Sequence, residues 1–150
     1  GQFVDSATQR FVISWFNRQN IAGLNTFAAT RSTTSTTYAE LSSTERVEFL
    51  TWSTEAVFIG VSGSLTNGTL GAQMFSAIAL DGITAEDAAC GSDAAVTNTN
   101  ESISFTLFKS GLAEGYHYAT IVGKTAAGTG NWIGSATAGL RTSITVGIRG

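Results

Sequence analysis

A chain of 150 residues is long enough for one domain with its own core, but only 13% of it is charged, and its eight Lys and Arg are outnumbered by eleven Asp and Glu. With a net charge of −3 and no cluster of cations, the chain lacks the means to hold a phosphate backbone, so nucleic acid is excluded as a partner. The single cysteine, Cys90, excludes an internal disulfide and a Cys-based zinc cluster, and no apolar run is long enough to predict a membrane-inserted helix.

Thr, Ser and Gly stand where charge usually does, which suits strand faces and tight turns and weakens helices almost everywhere. The opening segment starts at Gly1 in place of Met, which points to processing or trimming, and it carries Asp5 and Arg10, unlike a signal peptide. Residues 10–16 fit a strand. Residues 30–37 are nearly pure Ser and Thr, an exposed strand or a flexible lead-in. Strands are predicted over 36–41 and 46–52, with one helical turn between them at 42–46, where Ser and Thr can cap the following Glu.

The clearest alternation spans 56–65, with Val57, Ile59, Val61 and Leu65 on one face and Gly60, Ser62 and Ser64 on the other. Asn67-Gly68 supplies a turn into a strand over 71–81, so the two segments read as a hairpin that Asp81-Gly82 closes. Residues 84–89 are the one other segment that could hold a helical turn. Residues 102–109 alternate again, with Ile103, Phe105 and Leu107 inward, and after a turn at 111–115 residues 116–124 form the return strand. The last pair lies at 131–134 and 140–148, where Ile144, Val146 and Ile148 alternate with Thr145 and Gly147. About eight or nine short strands with frequent turns predict an all-β antiparallel sandwich or barrel, a jelly roll foremost.

Catalytic constellations are sought and not found. The one histidine, His117, has no Gly-x-Ser-x-Gly elbow before it and no identifiable nucleophile partner. The carboxylate pairs Glu86 with Asp87 and Glu45 with Glu48 sit among Ser and Thr, in wet surroundings that do not split two pKa values. The stretch 81–93 gathers Asp81, Glu86, Asp87 and Asp93 in a spacing that matches no calcium loop, and the glycines of 123–134 lack phosphate-loop spacing. No catalytic, cofactor-binding or metal-binding residue is therefore assigned, and the chain is expected not to be an enzyme. Aromatic residues remain as binding groups: Trp52, Trp132, Tyr38, Tyr116 and Tyr118 combine large area with a polar tip. Trp132, flanked by Gly128, Gly130, Asn131 and Gly134, is expected at a loop or strand tip. The sequons at Asn67 and Asn100 imply surface loops in a secreted eukaryotic protein.

The segments Gly115-Tyr116-His117-Tyr118, Gly128-Thr129-Gly130-Asn131-Trp132 and Arg141-Thr142-Ser143-Ile144-Thr145-Val146 resemble the carboxyl-terminal half of phage fibre head domains. A similar cadence precedes them in Thr36-Thr37-Tyr38, Arg46-Val47-Glu48-Phe49 and Ala79-Leu80-Asp81-Gly82, so the resemblance covers roughly 30–150. It implies a trimeric jelly roll of the tumour-necrosis-factor and complement C1q type. Residues 26–150 would form the head and residues 1–25 the segment that connects it to other virion proteins, with Phe11, Ile13 and Trp15 packing on neighbours. It implies a homotrimer at the virion surface, either a fibre tip that binds a host glycan or protein, or a head fibre or capsid decoration with a stabilising role. Trp132, Asn131, Tyr116, His117 and Arg141 are the candidate contact residues.

Overall fold

The structure is a computed structural model that describes residues 2–5, 10–13, 20–136, 139 and 141–148, the side chains of 2–5, 10–13, 86 and 87 lying outside the description. Strands β1 (Gln2–Asp5) and β2 (Arg10–Ile13) pair with each other in a two-stranded sheet. The expected packing of Phe11, Ile13 and Trp15 falls outside the described side chains.

Among the described residues, eleven further strands make two antiparallel sheets. In chain order they are β3 (Ile21–Thr26), β4 (Arg31–Thr33), β5 (Ala39–Glu40), β6 (Val47–Thr51), β7 (Ala56–Asn67), β8 (Gln73–Leu80), β9 (Ala85–Asp93), β10 (Glu101–Ser110), β11 (Gly115–Thr125), β12 (Gly130–Trp132) and β13 (Ser143–Ile148). Three of the columns are interrupted strands. One half of β7 pairs with β13 and the other with β12, and these pair in turn with β3 and β4. Likewise β11 pairs along one edge with β6 and then β5. The first sheet thus runs β3/β4, β12/β13, β7, β10, and the second β5/β6, β11, β8, β9. Numbered as eight columns these orders are 1-8-3-6 and 2-7-4-5, the arrangement of a jelly roll.

The core follows from the alternation. Val57, Ile59, Val61 and Leu65 of β7 meet Met74 and Ile78 of β8 and Ile121 of β11 between the sheets, with Ile103, Leu107, Ile144 and Val146 completing the first sheet's inner face. Most chain connections cross from one sheet to the other, and this overturns two expected pairings. Segments 56–65 and 71–81 are not a hairpin: β7 pairs with β10, β12 and β13, while β8 lies in the opposite sheet. Nor is 116–124 the return partner of 102–109, since β10 pairs with β7 and β11 with β8. Each of these strands buries one face, a property equally satisfied by a neighbour in the same sheet or by one across the core.

Asp81-Gly82 does turn the chain, but into β9, which replaces the helical turn expected over 84–89. The edge of β8 offers unpaired backbone groups to this segment, and a ladder of hydrogen bonds outweighs a weak local helix preference. The turn expected at 42–46 is present as a 3-10 turn, Ser43–Glu45, without a side-chain cap from Ser42. Residues 21–25 lie in β3, paired with β13, so the first sheet begins at Ile21.

Registers give the sandwich two distinct ends. Ile21, Ile148 and the loops 52–55, 81–84 and 111–114 lie at one. At the other, loops 34–38, 68–72, 94–100 and 126–129 converge, far from where the sheet begins.

Candidate binding surface at the loop end

One buried polar residue organises the distal end. Asn67, the last residue of β7, is fully buried, where an unpaired amide would be costly. Its Nδ2 donates to Thr125 Oγ1 at 3.1 Å and to the Ala127 carbonyl at 3.0 Å, and its Oδ1 accepts from the Thr69 amide at 2.9 Å. The Asn67 carbonyl accepts from the Asn98 amide at 2.9 Å. Three loops are thereby fastened to one side chain and its backbone. The fourth joins through Thr125, whose amide donates to the Ser35 carbonyl at 2.9 Å. Further bonds run from Gly71 to the Ala94 carbonyl and from Ala94 to the Ala72 carbonyl. Gly128 has φ +65, and a Cβ there would collide with Thr69 and Asn67, so only glycine lets loop 126–129 lie against loop 68–72.

The outer surface of these loops holds no charged residue. It is built from Thr34, Ser35, Thr36, Thr37, Thr69, Thr97, Asn98, Thr99, Asn100 and Thr129, with Leu70 and Val96 exposed among them. Such a surface supplies hydroxyl and amide groups able to donate and accept, held by a network that limits the entropy lost on binding. At its margin Tyr38 and Phe75 hold the Lys124 ammonium between them, 4.7 and 4.9 Å from the ring centroids. Burial pushes the Tyr38 phenol pKa up.

The residues singled out by sequence do not assemble into one site. Trp132, expected at an exposed tip, is instead 0% exposed in the core, its indole N–H donating to Ser76 Oγ at 2.7 Å. Gly128 does lie in a loop, but Gly130, and Gly123 of β11, are clearance: a Cβ at either would press on the indole ring. Asn131 faces outward from β12, and its Oδ1 accepts from Ser32 Oγ at 2.7 Å. Arg141 borders a shallow groove on the outer face of the first sheet, with Ser62, Ser64, Ser102 and Ser143. Tyr116 is exposed and His117 buried at the opposite end from the four loops.

His117 is pinned by the protein itself. Nδ1 lies 2.6 Å from Asp81 Oδ2 and Nε2 lies 2.8 Å from the Ala113 carbonyl, with the Phe49 ring 5.9 Å away. Both ring positions are taken by internal oxygens, whereas a general base needs one turned to its substrate. The segment 81–93, considered for a cation, forms a turn and β9, and among the described residues no group of three His, Cys, Asp or Glu is placed to hold a metal ion. The sequon at Asn67 belongs to the buried amide just described, not to a surface loop.

The outer face of the second sheet carries paired charge. Arg46 donates from Nε and Nη2 to the Glu40 carboxylate at 2.7 and 2.8 Å, and lies over the Tyr118 ring at 4.1 Å. That guanidinium lowers the Glu40 pKa, against the effect of burial, and Glu40 raises that of Arg46. Sequence reasoning missed Asn67, because Asn-Gly reads locally as a turn and nothing nearby marks a partner 58 residues on.

No protein-family model matches the chain, and no curated protein matches it. Among solved structures, it is similar to a chain in the structure of infectious bursal disease virus, Gx strain, at 12% identity and a TM-score of 0.44 over 99% of this chain. The match covers 42% of that neighbour, so this chain spans less than half its length.

Proposed function

We propose that the chain is a non-catalytic virion module, a jelly roll of the tumour-necrosis-factor and C1q type, that displays its four-loop end for attachment to a host surface. The observation that carries this reading is the uncharged hydroxyl and amide surface at the distal end, fixed by Asn67. Its chemistry fits a neutral glycan, whose hydroxyls exchange hydrogen bonds with Thr, Ser and Asn. The resemblance of 30–150 to phage fibre heads supports the same role. Assembly as a homotrimer would present three such ends together, and a repeating polysaccharide would then be held by avidity even if each site is weak.

The test is binding of the purified protein to host cells and to a panel of neutral and acidic polysaccharides, with Thr97→Glu and Val96→Asp alongside. Both positions are exposed in the loop 94–100, so the melting temperature is expected to hold while binding falls at least tenfold. An intact protein that binds neither cells nor polysaccharide refutes attachment and leaves the capsid-decoration role.

A further inference from the structure

Two of the arginines show what a guanidinium does in this chain. Arg31 and Arg46 each turn Nε and Nη2 onto one carboxylate, of Glu45 and Glu40 respectively. That fork is the geometry in which a guanidinium holds a carboxylate best. Arg141 differs. Half-buried, it has neither a carboxylate nor an aromatic ring as partner among the described residues, in a chain where eleven Asp and Glu outnumber eight Lys and Arg.

The backbone beside Arg141 is fixed. Thr142 is fully buried, its amide donating to the Ile133 carbonyl at 2.8 Å and its carbonyl accepting from the Phe27 amide at 2.8 Å. A Cβ at Gly63 would strike Thr142, so glycine there lets this segment lie against β7. Arg141 is thereby set at the rim of a groove of about 470 Å³ on the outward face of the first sheet, large enough for a small-molecule ligand. Ser62, Ser64, Ser102 and Ser143 line the groove with it, and Leu24, 65% exposed, adds an apolar wall. Among the described residues no Asp or Glu lines it.

We infer that this groove is a binding site for an acidic sugar, whose carboxylate docks on the Arg141 guanidinium. Charge selects an anion, because a guanidinium in a groove without acidic residues has its donors open to a ligand. The planar fork selects a carboxylate, as Glu40 and Glu45 do within the chain. The serines select a sugar. Each hydroxyl both donates and accepts, as the ring hydroxyls beside a sugar carboxylate require, and Leu24 offers a surface to the C–H face of the ring. An aspartate or glutamate side chain of a peptide answers the guanidinium alone, since the carbons that carry its carboxylate bear no hydroxyl. The site lies on the side of the sandwich and stands apart from the four-loop end on which the proposed function rests.

Titration calorimetry of the whole chain with oligogalacturonate, and with the same oligosaccharide methyl-esterified so that its carboxylates are neutral, tests it. The wild type is expected to bind the acid at least tenfold more tightly than the ester, and less tightly as salt rises. Arg141→Gln is expected to abolish that difference with β-sheet circular dichroism unchanged. If Arg141→Gln disturbs the fold, Ser102→Glu decides: Ser102 is exposed on β10 at the edge of the sheet, and a carboxylate set there competes for Arg141 and should weaken binding of the acid at least tenfold. Failure to bind the acid, equal binding of acid and ester, or an Arg141→Gln protein that binds the acid as the wild type does overturns the inference. An oligoglutamate of equal length bound as tightly as oligogalacturonate also overturns it, and assigns the groove to acidic peptide. Acid bound by a protein that attaches to no host cell supports this groove and refutes the attachment reading alone.

Discussion

The indole N–H of Trp132 donates to Ser76 Oγ at 2.7 Å across the core, joining β12 of the first sheet to β8 of the second. A polar bond in an apolar interior is favourable only while both partners are present. Trp132→Ala is therefore expected to cost about 3–5 kcal/mol as a cavity opens. Ser76→Ala, which strands the indole N–H, should cost about 1–3 kcal/mol. Urea denaturation measures both. Cell binding lost in Trp132→Ala would report unfolding and not a lost ligand contact; a Trp132→Ala protein of wild-type stability would contradict its place in the core.

Asn67→Asp tests the hub of the loop end. The substitution removes both Nδ2 donors and sets a carboxylate against the Ala127 carbonyl and the Thr125 hydroxyl, while keeping the acceptor for the Thr69 amide. A loss of about 2 kcal/mol or more is expected for two buried bonds broken together. Hydrogen exchange locates it: amides in 68–72, 94–100 and 126–129 should exchange faster, and those of 52–55 and 111–114 should not. Uniform acceleration would mean that Asn67 supports the whole sandwich and not one end.

Acid should weaken the fold through two carboxylates. Hydrogen bonds from Arg46 hold the Glu40 pKa below its ordinary value. Burial alone would raise that of Glu45, but hydrogen bonds from Arg31 and Ser42 outweigh it and leave it lowered. A depressed folded-state pKa contributes stability that is complete above the unfolded value, about 4.3 for Glu, and is lost as pH falls through the folded value. Stability should therefore decline below about pH 4.5. Glu40→Gln should flatten that decline, at a cost of about 1 kcal/mol or less near neutrality for a partly exposed pair. An unchanged pH profile in Glu40→Gln would remove this pair as a source.

Which residues face inward was legible in the sequence; which strand neighbours which was not. Val57, Ile59, Val61, Ile144 and Val146 lie in the core as their alternation predicts. Alternation, however, records only that one face is buried, and the chain passes from β7 to β8 in the opposite sheet, so local turn signals at Asn67-Gly68 misled the pairing. At the candidate site the failure has a different cause. Glycines around Trp132 suggested a loop or strand tip, yet Gly130, and Gly123 of β11, are small to make room for the indole. Asn67 was hidden because its partners, Thr125 and Ala127, come from a distant loop. Composition was the better guide there, since the Thr and Ser that stand in for charge are much of what the loop end exposes.

Asp81 combines a backbone requirement with two side-chain bonds, and a three-member series separates them. Its φ is +54, a left-handed value tolerated by Asp, Asn and Gly and strained by about 1–2 kcal/mol for other residues. Its Oδ1 accepts from the Tyr118 amide at 2.9 Å, and its Oδ2 lies 2.6 Å from His117 Nδ1. Asp81→Asn keeps the conformation and the Oδ1 acceptor and should cost about 1 kcal/mol. Asp81→Gly keeps only the conformation, leaves His117 Nδ1 without its partner in the protein interior, and should cost about 2–3 kcal/mol. Asp81→Ala loses both and should be worse than glycine by about 1 kcal/mol. Denaturation midpoints order the three; alanine no worse than glycine would show that the backbone at this turn relaxes, and asparagine as damaging as glycine would show that the carboxylate, not the geometry, holds the turn to β11.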